Sequence, residues 1–161
     1  MSVNKISAIS LIFCLALGLT FGAGCKKNVH GTVPVTVKVT YNGKPIHEAV
    51  VVFSSAQGNS SSGATNEKGE AKLSAFEKND GAIPDSYVVT IDKSELKEER
   101  DPDNPDRILK SETIYHIPAI YGDRKTSELT AEVVKGKKNV FTFDLDDSRA
   151  DEEIKNETSI D

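Results

Sequence analysis

The sequence predicts an all-β protein, an antiparallel β-sandwich of about seven strands, preceded by a leader and followed by an acidic tail. Apolar residues alternate with polar ones in most segments between residues 32 and 146, the pattern of strands that turn one face to a core. Asn-Gly, Lys-Gly and Ser/Gly-rich clusters punctuate those segments as turns do. The only cysteines are Cys14 and Cys25, both ahead of the alternating region, so no internal disulfide braces it. Stability must come from burial alone, which a single domain of about 115 residues can supply.

Residues 1–24 read as a lipoprotein signal peptide: Lys5 is the positive start, Ile6 to Phe21 the apolar stretch, and Gly22, Ala23 and Gly24 the small residues before Cys25. A spanning helix wants about 20 predominantly apolar residues, whereas this run is shorter and broken by Ser7, Ser10 and Thr20, which suits a cleaved segment. A lipoprotein signal peptidase accepts small residues in a narrow site and leaves the cysteine as an acylated amino terminus. Gly22-Ala23-Gly24-Cys25 resembles that lipobox, with glycine where an aliphatic residue is usual. An ordinary cut near Ala23 or Gly24 is the alternative. Acyl chains on Cys25 would anchor firmly, since each buried methylene contributes about 0.8 kcal/mol and two or more chains suffice. The expected partner at this end is membrane lipid, and the expected address is the cell envelope, facing the periplasm or the cell surface.

A tether, 25–31, leads into the sandwich, 32–146. Val35, Val37, Val39 and Tyr41 form one face of the first strand, which ends at the Asn42-Gly43-Lys44-Pro45 turn. Ala49 to Ser55 is apolar enough for a central position, with Ala49, Val51 and Phe53 on one face. Gly58 to Gly63 reads as a serine-coated surface loop, with a short strand near Ala64 and Thr65. Alternation returns at Ala71 to Ser74, Glu77 to Ala82 reads as a mobile patch, and Pro84-Asp85-Ser86 launches Tyr87, Val89 and Ile91 inward. Residues 93–128 read as a long excursion, dense in charge and interrupted by Pro102 and Pro105, with a helical turn near Glu95 to Arg100. Leu129, Ala131 and Val133, then Phe141, Phe143 and Leu145, are the closing strands. Residues 147–161 carry little that could be buried and read as a disordered acidic tail.

Several of these segments together resemble a known family. Val39-Thr40-Tyr41-Asn42-Gly43-Lys44-Pro45-Ile46, Ala49 to Phe53, Thr65-Asn66-Glu67-Lys68-Gly69 and Pro84 to Ile91 are similar to the carboxypeptidase regulatory-like, or transthyretin-like, domains of small exported lipoproteins of planctomycete-type bacteria. Ile117 to Asp123, Thr126 to Val133 and Asn139 to Leu145 are similar to the closing half of the same proteins. The resemblance implies an immunoglobulin-like, prealbumin-type sandwich without catalytic residues of its own. Ala71 departs from it where an aromatic is frequent, Glu48 where glycine is common, and Ser86 where a Pro-Gly turn is usual.

Candidate chemistry is sparse. Removing residues 1–24 takes away Lys5 and no acid, moving the net charge from −5 to −6. Nucleic acid is not an expected partner, because the lysines are scattered among carboxylates and there is no tryptophan. Lys26 and Lys27, beside the anchor, are placed to meet anionic head groups. His30, His47 and His116 share no metal-ligand spacing, and neither H-E-x-x-H nor Gly-x-Ser-x-Gly occurs. No cofactor and no catalytic residue is expected. Asp101, Asp103 and Asp106 alternate as calcium ligands do, but lack the loop's glycine and distal glutamate, and the two prolines resist its curl. Tyr115, His116, Tyr121 and Asp123 are candidate contacts for a glycan or peptide; the alternative is that Ile117, Ile120 and Tyr121 pin the excursion to the sheet. The expectation is a non-enzymatic envelope protein whose sandwich binds or assembles with an envelope protein, with weak glycan or peptide binding, or a spacer role, as alternatives.

Overall fold

The structure, a computed structural model, describes residues 30–149, so the leader, Cys25 and residues 150–161 lie outside it. The described residues form ten strands: β1 (Val35–Tyr41), β2 (Lys44–Pro45), β3 (Val50–Ser55), β4 (Ser60–Ala64), β5 (Glu70–Lys72), β6 (Asp85–Asp92), β7 (Ser94–Asp101), β8 (Asn104–Tyr115), β9 (Leu129–Val133) and β10 (Asn139–Leu145). One sheet has β1 at its centre, with β10 on one side and β2 and β5 on the other; the second runs β4-β3-β6-β9. The inner faces meet in one core, as the alternation demands: Val35, Val37 and Val39 from β1, Val51 and Phe53 from β3, Tyr87, Val89 and Ile91 from β6, Val133 from β9 and Leu145 from β10. The Phe53 ring is fully buried, with the Tyr87 and Phe141 ring centroids 5.6 and 5.7 Å away. The all-β sandwich is the observed fold.

Its details depart from expectation in five places. β10 runs parallel to β1, in register from Val35 beside Asn139 to Tyr41 beside Leu145, so the sandwich is not wholly antiparallel. Alternation reports which face is buried, not the direction of the neighbouring strand, and two strands so far apart in sequence are free of the hairpin constraint.

Of the Ser/Gly segment only Gly58 and Asn59 are loop; from Ser60 it is β4, paired with β3 at every residue from Ser60 to Ala64. Its Ser61 hydroxyl, buried, donates to the Gly81 carbonyl at 2.6 Å. A Cβ at Gly63 would stand 2.7 Å from the Lys72 carbonyl, so glycine is what allows β4 to approach the opposite sheet.

The segment expected to be mobile is tied down as well. The Asp80 carboxylate accepts the N–H groups of Ala75 at 2.7 Å and Phe76 at 3.2 Å, and Ala82 pairs with Val33. Gly81 has φ +92°, and a Cβ there would fall 1.8 Å from the Val33 carbonyl.

The excursion is a β-hairpin, β7 paired with β8, and Glu95 to Arg100 is strand rather than helical turn. Pro102 lies in the tip, and Pro105 at the start of β8 where the ladder is irregular, the edge positions that proline tolerates. Beyond it Ile117, Ile120 and Tyr121 are buried and pin the return to the core. The first residues of the expected acidic tail, Asp147–Arg149, form a docked 3-10 turn. The Arg149 guanidinium donates to the carbonyls of Ser127 at 2.9 Å and Thr126 at 2.8 Å.

Candidate functional site

The hairpin is the element the core does not use. Every residue of β7 and β8 is exposed except Glu98, Asp101 and Ile114, which are partly buried. A two-stranded hairpin is marginal in water without something to pack on. Its root is held where it leaves the sandwich: the His116 N–H donates to the Lys93 carbonyl at 2.8 Å, the Lys93 ammonium meets Glu48 at 3.2 Å, and the Ser94 hydroxyl donates to Asp92 at 2.7 Å. Lys93 is also the main reason the Glu48 carboxyl titrates below its ordinary range.

Register gives the hairpin two unlike faces. On one, Lys97 is opposite Glu112 and Glu99 opposite Lys110, so charges of opposite sign alternate across the strands. On the other, Tyr115 is opposite Ser94 and Leu96 opposite Thr113, which puts Leu96 and Tyr115 diagonally adjacent at 63% and 53% exposure. Ile108 and Leu109, half exposed, extend the apolar surface where the register shifts. Charged edges discourage indiscriminate strand pairing, while exposed apolar side chains gathered on one face are what a docking surface requires.

The four residues expected to line a groove are not brought together. Tyr115 and His116 are exposed at the hairpin root, with the His116 Nε2 3.9 Å from Glu95. Tyr121 is buried, its hydroxyl donating to the Asp146 carbonyl at 3.2 Å and its ring 5.7 Å from the Arg149 guanidinium carbon. Asp123 is exposed and caps its own turn by accepting the Lys125 N–H at 2.7 Å. At the hairpin tip, Asp101 accepts the Asp103 N–H at 2.9 Å and lies 3.6 Å from Arg107, and Asp106 belongs to the irregular part of β8. No three His, Cys, Asp or Glu side chains converge as metal ligands among the described residues. Sequence reading missed Leu96, Ile108 and Leu109; their apolar character was legible, but the hairpin that gathers them was not.

Fold and site together define a β-sandwich that presents a free-standing hairpin. No protein-family model and no curated protein matches the chain. Among solved structures, a 9R-lipoxygenase from Cyanothece PCC8801 is similar at 12% identity and a TM-score of 0.33, over 75% of this chain and 17% of that one. A likeness of that size carries no argument here.

Proposed function

We propose that the protein is a non-enzymatic, lipid-anchored component of the cell envelope, whose sandwich acts as a binding or assembly module through the β7–β8 hairpin. The anchor rests on the Gly22-Ala23-Gly24-Cys25 pattern. The contact surface rests on one observation: a hairpin that contributes nothing to the core cluster and carries Leu96 and Tyr115 diagonally adjacent and exposed on one face. Exposed apolar side chains in a strand pair with free edges are recognised by partner proteins through strand addition and side-chain pockets.

A photo-crosslinking residue placed at Leu96 or Tyr115 of the full chain in its native cells tests this, with Val140, exposed on β10, as control. Adducts to a protein from the hairpin positions alone, lost with Cys25→Ser, are expected. Hairpin positions that yield no more than Val140 does, or turnover of hydrolase substrates by the purified protein, would overturn the reading.

A further inference from the structure

Strand directions sort the connections of the sandwich between two ends. β1 starts where the chain enters, and the register places Asn139 of β10 beside Val35 and Lys72 of β5 beside Thr36. The Val33–Ala82 bridge and the bonds from Asn139 to Val134 carry the same order to the other sheet, whose entry-end pairs are Ser55 with Tyr87 and Asp85 with Val133. Three connections therefore share the entry end: 56–59, 73–84 and 134–138. The hairpin root is at the other end, where Asp92 pairs with Val50.

The entry end is basic and carries an exposed aromatic ring. Lys78, Lys135, Lys137 and Lys138 are all exposed, and none has a carboxylate partner among the described residues. The acids at this end are Glu77 and Asp80 in the connections and Asp85 and Glu132 at the strand ends; Asp80 is turned onto the backbone N–H groups of Ala75 and Phe76 and Asp85 accepts the Asn59 side chain at 3.0 Å, so the lysines of the 134–138 loop and Lys78 carry the free charge. Phe76 is 57% exposed and stacks on His30 with ring centroids 4.4 Å apart. The lysine loop is a built feature: buried Asn139 accepts the Val134 N–H at 2.9 Å and donates to the carbonyls of Val134 at 3.1 Å and Lys137 at 3.3 Å.

We propose that this end of the sandwich is a contact surface for an anionic lipid bilayer, with the four lysines on headgroup phosphates and Phe76 at headgroup depth. The placement rests on the reading that Cys25 carries the lipid. Cys25 precedes His30 by so few residues that the intervening chain reaches at most about 17 Å. The strands that separate the two ends are about 23 Å long, judged from seven-residue β1. A leash that short lets the entry end reach the leaflet, where basic residues feel an anionic surface over about 8 Å at physiological salt, and the hairpin root lies a further strand length from the point of attachment.

The test uses the full acylated chain with a polarity-sensitive dye on Ala56→Cys, at the entry end, or on Leu109→Cys, on the hairpin. Each is reconstituted in vesicles of phosphatidylglycerol with phosphatidylcholine, or of phosphatidylcholine alone. A blue shift at Ala56→Cys, absent at Leu109→Cys, is expected in the anionic vesicles only. It is expected to be lost in high salt, lost on Lys135→Glu with Lys137→Glu and Lys138→Glu, and diminished by Phe76→Ser. Protein that floats with the vesicles while both dyes report water overturns the surface and leaves the anchor standing. Protein that fails to float with anionic vesicles overturns the surface too, and the mass of the Cys25 peptide then decides separately whether the chain was acylated.

Discussion

The Tyr41 hydroxyl donates a hydrogen bond to the carboxylate of Asp147, a residue 106 positions later in the chain. The Asn42 side chain donates to the other Asp147 oxygen at 3.0 Å, and the Asn42 N–H to the Leu145 carbonyl at 2.8 Å. The end of the first strand is thus fastened to the residues that follow the last.

That fastening is pH-dependent. The Tyr41 hydroxyl, then the Asn42 amide, hold the Asp147 carboxyl below its ordinary range, and Asn59 does the same for Asp85. Burial alone pulls Asp80 up, but the N–H groups of Ala75, Glu77, Phe76 and its own residue outweigh it and the net direction is down. Groups depressed in the folded state contribute stability that is present above the unfolded value, about 4, and lost as pH falls through the lower folded value. Tyr41 is raised, chiefly by Asp147, so its contribution is present below about 10 and lost above. Urea midpoints are expected to be level between about pH 5 and 8 and to fall on both sides. Tyr41→Phe is expected to make the alkaline limb shallower and to remove from the acid limb only the Asp147 share, leaving those of Asp85 and Asp80.

Removing the Asp80 carboxylate leaves the N–H groups of Ala75 and Phe76 without their acceptor. Asp80→Ala is expected to cost about 2 kcal/mol in urea unfolding, and Asp80→Asn about half of that. Hydrogen exchange at Ala75 and Phe76 is expected to quicken in both.

Phe53→Ala empties the centre of the core, between the Tyr87 and Phe141 rings. The expected loss is about 3 to 5 kcal/mol. Gly81→Ala combines a left-handed φ with a clash against the Val33 carbonyl, and is expected to lower the expressed yield of folded protein more than any exposed substitution does.

Replacing residues 94–115 by a short Gly/Ser linker removes no member of the core cluster. Thermal unfolding is expected to change by no more than about 1 kcal/mol, while recovery of a partner protein with a lysine-reactive cross-linker is lost. Hairpin amides are expected to exchange faster than those of β3 and β6 in the intact chain.

How much of this was legible depended on whether a strand has a core face to write into the sequence. Val35, Val37 and Val39, or Tyr87, Val89 and Ile91, announce themselves because every second residue is buried. Ser60–Ala64 does not, since its strand character lies in backbone pairing and in the closeness that Gly63 permits. The hairpin was hidden for the opposite reason: with both faces in water, Glu95 to Arg100 needs no alternation and reads as helix or loop. The candidate groove failed on burial, because Tyr115 and Tyr121 look alike in sequence and end up on opposite sides of the surface.

The parallel pairing of β1 with β10 also governs the order of events when the chain is made. The first strand to emerge finds its full-length neighbour only when the last one arrives; Thr40 waits for Asp144, 104 residues behind it. Loops that long close late, so the domain remains open until nearly all of its length is free, and then shuts in one step. The sandwich cannot complete its edges until β10 arrives, so the half-made chain has no finished domain to get in its own way.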